Sequence, residues 1–173
     1  MNAQKFTQKS IEALNDAQNL AIEYQNMQIE QEHLLFSLLD QEGGLIPELL
    51  KKMETDPQSV KTAVKNAIEG MPRVTGSGRE PGKIYVSQEV DRTLNDAENQ
   101  AKRMQDEYVS VEHIMLALFD MANSRLKEIF RRYGIEKNKF LQVLASVRGN
   151  TKVTSDNPES TYDVLKKYGQ DLV

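Results

Sequence analysis

The chain has 173 residues, 39% of them hydrophobic, which suits one compact domain or two small halves around a core and excludes a disordered chain. It has no cysteine, so disulfides, thiolate zinc sites, iron–sulfur ligation and cysteine nucleophiles are excluded by counting, and a reducing compartment is allowed. With 22 basic against 26 acidic residues the net charge of −4 gives no field to gather phosphate backbones, so nucleic acid is not the expected partner.

The longest apolar runs, Leu34–Phe36 and Ile114–Phe119, fall far short of the roughly 18 residues a membrane helix requires. The first residues carry neither the apolar stretch of a secretory signal nor the arginine bias of a transit peptide. The expectation is a soluble, cytoplasmic chain with no membrane partner.

One internal offset organises the elements. At a shift of 80 residues Leu14-Asn15-Asp16-Ala17 reappears as Leu94-Asn95-Asp96-Ala97, and Glu32-His33 as Glu112-His113. Gln8, Asn19, Ala21, Gln25, Leu38, Asp40 and Glu48 also meet identical residues at that offset. Two copies of one unit follow, and because apolar residues recur at three and four, each copy reads as four helices.

In chain order, helix one of the first copy shows Leu14, Ala17, Ala21 and Tyr24 on one face. A greasier helix two carries Leu34, Leu35, Leu38 and Leu39, with an apolar face wide enough to lie centrally. Helix three shows Leu45, Leu49, Leu50 and Met53. Asp56-Pro57 opens helix four, lined by Val60, Val64, Ala67 and Ile68. A connector over 70–86, rich in glycine and proline, breaks every period.

The second copy answers with Val90, Leu94, Ala97, Ala101 and Met104; then Ile114, Met115, Leu118 and Phe119; then Leu126, Ile129, Phe130 and Tyr133, stopped by Gly134; then Phe140, Leu144 and Val147. The fold class is therefore all-α, a duplicated four-helix unit of about eight helices with pseudo-twofold symmetry. The division is repeat one over 1–69, connector 70–86, repeat two over 87–148, and a polar, mobile linker from 149. After Pro158 a short helical stretch begins with no core of its own, so 149–173 reads as a linker and the start of something longer.

Few motifs point to chemistry. Gly76–Ile84 resembles a phosphate-binding loop, but Ser77 stands at the required first glycine and Ile84 where a hydroxyl should hold magnesium, so it reads as a flexible linker. Glu30-x-x-His33 is half of a di-iron motif that the second copy breaks with Ser110, so no metal is expected and the histidines read as capping groups in the first turn of helix two. No nucleophile, base and orienting group stand together, so no catalytic residue and no enzyme are expected within these residues.

Both copies pair a hydroxyl with a carboxylate: Thr7 with Glu32, and Ser87 with Glu112. Thr7 and Ser87 suit N-caps of helix one, and Glu32 and Glu112 the first turn of helix two, where negative charge complements the dipole. Caps alone account for these residue types. A carboxylate beside apolar residues could equally bind a backbone amide or basic side chain of a guest peptide. Asp106 adds acid to the second copy only, facing Asn26 in the first, so the two sites should differ in strength.

The doubled Glu-His before an apolar helix, with Thr7 or Ser87 opening each copy, resembles the duplicated amino-terminal domain of the Clp family of AAA+ chaperones over residues 1–148. The tail from Asn157 to Leu172 and the connector around Met71–Val74 are similar to those of the ClpB-type disaggregases. The resemblance implies a recognition module set loosely above a hexameric ATP-driven threading ring, engaging unfolded or aggregated polypeptide. Cooperation with an Hsp70 system, and ATP and magnesium in the parent protein with no cofactor here, are implied likewise.

By the same resemblance, substrate-engaging residues match Thr7, Asp106 and Glu112, and an apolar groove includes Leu94. Glu32 and Ser87 form a possible second site. His113 stands where some relatives carry an apolar groove residue. ClpC-type relatives use the acids matching Glu32 and Glu112 to hold phosphorylated arginine, and ClpC and ClpA-type unfoldases imply docking of a folded adaptor as the alternative.

Overall fold

The computed structural model describes residues 3–74, 84–149 and 151–156. Most of the connector, nearly all of Gly76–Ile84, and the tail with its expected helix after Pro158 lie outside the described residues. Among the described residues the protein is all-α. A short 3-10 turn at Ala3–Lys5 precedes α1 (Gln8–Glu23), α2 (Gln31–Asp40), α3 (Leu45–Lys52), α4 (Pro57–Glu69), α5 (Gln88–Arg103), α6 (Val111–Met121), α7 (Ser124–Arg132) and α8 (Lys137–Arg148).

Local chemistry sets the boundaries. The hydroxyls of Thr7 and Ser87 accept from the amides of Ser10 (3.2 Å) and Val90 (3.1 Å), capping α1 and α5. Asp56 accepts from the Gln58 amide ahead of Pro57 at the first turn of α4. Gly134 ends α7 at φ +64°, and the residue at the same place in the first copy, Glu54, takes φ +61°. Gln25 and Gln105, again 80 apart, both turn through the left-handed region, at 55° and 60°. The repeat preserves these turns even where the residue is not glycine.

The core runs through both copies as one body. Leu34, Leu35 and Leu38 of α2 and Ile114, Met115 and Leu118 of α6 are fully buried, so the greasy second helices lie centrally as their breadth predicts. Within each copy α1 packs on α2 and α5 on α6; between copies α3 meets α6 and α8, and α4 meets α7. Phe119 stacks at 4.9 Å on Phe130 and 5.5 Å on Phe140, joining α6, α7 and α8.

Two short parallel bridges express the rotational kinship. Phe6 pairs with Val109 and Val86 with Ile29, so the residues leading into each copy lie along the α1–α2 or α5–α6 loop of the other. Thr7 N–H donates to the Val109 carbonyl at 3.0 Å and Val109 N–H to the Lys5 carbonyl at 2.7 Å. Ser87 N–H donates to Ile29 and Ile29 N–H to Tyr85, both at 2.9 Å. Every residue in the second set stands 80 from its counterpart in the first, so neither copy completes its backbone hydrogen bonding without the other.

The expected mobile linker takes a different form. Residues 151–156 lie over the second copy, held by backbone bonds from Glu107 N–H to Val153 and from Gln8 N–H to Asp156, and Val153 is fully buried. An aliphatic side chain five residues past the end of α8 gains by leaving water for an adjoining core. Met71–Val74 follow α4 in the same way, with Val74 N–H donating to Gln25 at 2.7 Å.

Candidate functional site

The loop and first turn of α2 and α6 hold the side chains of interest. His33 and His113 lie at the third position of their helices, and each accepts at Nδ1 the N–H of its N-cap residue, Glu30 or Ser110, at 2.9 Å. That bond places the proton of a neutral ring on Nε2, which donates to Asn26 Oδ1 at 2.8 Å in the first copy and to Asp106 Oδ2 at 2.7 Å in the second. Burial beside a neutral amide pushes the His33 pKa down to about 4. Among the described residues no group of three or more His, Cys, Asp or Glu could hold a metal ion.

The two glutamates meet different surroundings. Glu32 is buried, yet its carboxylate reaches across to the second copy, accepting from Asn123 Nδ2 at 2.8 Å and lying 3.4 Å from Arg125 Nη1. Beside it opens a groove of about 750 Å³ bounded by the α1–α2 loop, the segment after α4 and the start of α7. Glu30, Glu32 and Glu89 line it together with Arg73 and Arg125. Met27, 72% exposed, stands on its rim, and Met71 is buried in its wall.

In the second copy the equivalent place is closed. Arg148, the last residue of α8, grips Asp106 with two bonds, Nη1 to Oδ2 at 2.9 Å and Nη2 to Oδ1 at 2.7 Å. Burial alone would raise the Asp106 pKa, but the His113 and Arg148 hydrogen bonds, the Val153 amide and the guanidinium charge hold it well below the ordinary carboxylate value. Glu112 is fully buried, neither of its oxygens accepts a hydrogen bond among the described residues, and Arg148 Nη1 lies 3.5 Å from it.

The structure thus groups three of the four principal sequence candidates. Thr7 is tied to the carbonyl of Val109, midway in the chain between Asp106 and Glu112, and all three are buried under or beside residues 151–156. Leu94 is elsewhere: at 2% exposure it packs into the main core, because the α5 stripe faces α6 and not solvent. Of the second-site candidates, Glu32 lines the open groove, whereas Ser87 is buried as the cap of α5.

Arg148, Asn123, Arg125 and Met27 escaped the sequence reading. A signal for Arg148 existed: at the 80-residue offset the exchange of Asn26 for Asp106 accompanies that of Ile68 for Arg148, so a buried acid arrives with a buried base.

Residues 5–133 match the Clp repeat (R) N-terminal domain. The chain belongs to the Clp repeat N-terminal domain family. Over 173 residues it is 42% identical to the chaperone protein ClpB of Bacillus anthracis, a match that covers all of this chain and 20% of that protein. The chain therefore spans about a fifth of the length of the curated relatives it matches. The Hsp104 N-terminal domain from Candida albicans superposes with a TM-score of 0.77 at 22% identity, covering 90% of this chain and 99% of that one. A complex of the ClpV N-domain with a VipB peptide superposes at 0.63 with 24% identity, covering 90% and 91%. What the chain contributes is an N-terminal Clp domain rather than an ATPase module.

Proposed function

We propose that this Clp N-domain is the substrate-recognition module of an ATP-dependent, ClpB-type disaggregase, binding unfolded or aggregated polypeptide and passing it to a hexameric threading ring. The observation that carries the reading is the open groove beside Glu32, where an exposed methionine and two arginines rim a cleft already lined by acids. Such a cleft offers flexible apolar contact and charge of both signs, which yields weak binding without sequence selection. The ClpV N-domain that carries a VipB peptide lends support from the same fold.

On this reading residues 1–148 act as the N-domain and 149–173 lead toward an ATPase module. Nucleotide and magnesium belong to the parent protein, as does any cooperation with an Hsp70 system, and the setting is the cytoplasm. Glu32 serves the open groove, and Thr7, Asp106 and Glu112, with Ser87, belong to guest engagement as the buried support behind the surface, Leu94 lying in the core.

The test is an NMR titration with a chemically unfolded, carboxymethylated protein. Amide shifts at Met27, Glu32, Arg73 and Arg125 are expected; shifts confined to the opposite face of α3 and α8 would remove the reading. The second reading, docking of a dedicated folded adaptor or of a phosphoarginine-marked protein, is favoured by Arg125 and Arg73 beside Glu32. It predicts that a folded partner competes fully with the unfolded probe.

A further inference from the structure

Glu112 is a fully buried carboxylate that accepts no hydrogen bond among the described residues and has the Arg148 guanidinium 3.5 Å away. It and Asp106 share one guanidinium, that of Arg148. What closes over this cluster is a strand-like strap, residues 151–156, rather than a helix. Glu107 N–H donates to the Val153 carbonyl at 2.7 Å, Val153 N–H to Asp106 Oδ1 at 2.9 Å, and Gln8 N–H to the Asp156 carbonyl at 2.8 Å. Val153 adds one fully buried aliphatic anchor. Three main-chain hydrogen bonds and one anchor are features that any extended polypeptide can supply, as in strand addition.

We propose that residues 151–156 are an intramolecular occupant of the guest-engaging face around Thr7, Asp106 and Glu112, a strap that fills that seat at rest. The guest of that seat is an extended segment with a valine-sized residue at the Val153 position. The strap follows α8 within a few residues, so it competes at an effective concentration on the order of millimolar. Guests reach the seat only when the strap lifts. The guest's identity rests on the peptide-binding reading above; the strap's release does not.

The experiment uses the 173-residue chain and, as probe, an acetylated peptide with the sequence of residues 149–157. Val153→Asp should free the seat, so that the peptide binds this variant at least about ten-fold more tightly than the intact chain, shifting the Gln8 and Glu107 amides. A peptide with aspartate in place of its valine should not bind.

Because the chain has no cysteine, Gln8→Cys with Asp156→Cys places one reversible lock at two positions joined by the backbone bond from Gln8 N–H to the Asp156 carbonyl at 2.8 Å. Oxidation should abolish peptide binding and slow exchange of the Glu107 amide, and reduction should restore both. Equal binding to locked and unlocked chains, or a Glu107 amide as slow in the intact chain as those inside α6, would overturn the strap. If Val153→Asp does not fold, the lock decides. Absence of shifts at Met27 and Arg73 with unfolded protein would sink the groove reading and leave this one standing.

Discussion

Arg148 is the single residue whose loss should reveal how the second copy is held. Replacing it by isoleucine, the residue at the equivalent Ile68, removes both bonds to Asp106, the bond to the Thr151 carbonyl and the guanidinium 3.5 Å from Glu112. Two buried carboxylates would then lose the guanidinium they share, and deleting one partner of a buried pair costs about 3–5 kcal/mol. For a chain of this size that lowers the melting temperature by roughly 10 °C.

The remedy is present in the first copy, where Asn26 bonds His33 and Ile68 packs at 1% exposure, with no charge at either position. Asp106→Asn added to Arg148→Ile should recover about half the loss, and Glu112→Gln as a third change most of the rest. Urea unfolding followed by far-ultraviolet circular dichroism measures all three. A cost below about 1 kcal/mol for Arg148→Ile, or a triple variant no more stable than the single one, would refute the argument.

Acidity should act through His33. Its folded pKa, about 4, lies below the ordinary 6.5, so the unfolded chain takes the proton first and stability falls as pH drops from about 6.5 to about 4. About 3 kcal/mol is at stake, and His33→Gln should flatten that part of the stability profile. Gln31 donates to Thr93 Oγ1 and the Met121 carbonyl and accepts the Asn123 N–H, all in the other copy. Gln31→Leu takes this partner from the Met121 carbonyl and the Asn123 N–H, while Thr93 keeps its bond to the Glu89 carbonyl, and chemical denaturation should register a loss of about 2–3 kcal/mol. Glu54 sits at φ +61° where the second copy has Gly134, so Glu54→Gly should stabilise the protein by about 0.5–1 kcal/mol; a loss would show that the Glu54 side chain holds more than the turn costs it.

The architecture was legible because it rests on side chains that act locally. Thr7, Ser87, Asp56-Pro57 and Gly134 announce helix ends through bonds made within three residues, and the 80-residue offset multiplies each weak signal by two. The capping role of His33 and His113 was readable for the same reason. The groove was not. Asn123 and Arg125 meet Glu32 across about ninety residues of chain, and Arg148 meets Asp106 across 42, distances at which periodicity carries no information. Leu94 illustrates the converse, since an apolar residue on a helical stripe fits both a core and an open groove, and only the packing of α5 on α6 decides for the core.

The two copies keep what folds them and diverge in what they present. Histidine, glutamate and hydroxyl cap recur at equivalent places, together with the reciprocal bridges, since a change in any of these would break a bond that both halves need. At the edges the pairs part company: Met27 on the groove rim and Tyr85 beside Ile29 are exposed, and their counterparts 80 residues away, Glu107 and Lys5, are exposed and charged. An apolar, open edge captures loose chain by burying its surface, whereas a charged edge over a sealed ion cluster gains little until the seal moves. On the peptide-binding reading proposed above, an unfolded guest meets the groove without waiting for the strap to lift, so Met27→Ser should weaken capture at the groove, while Val153→Asp should change the seat of residues 151–156 alone.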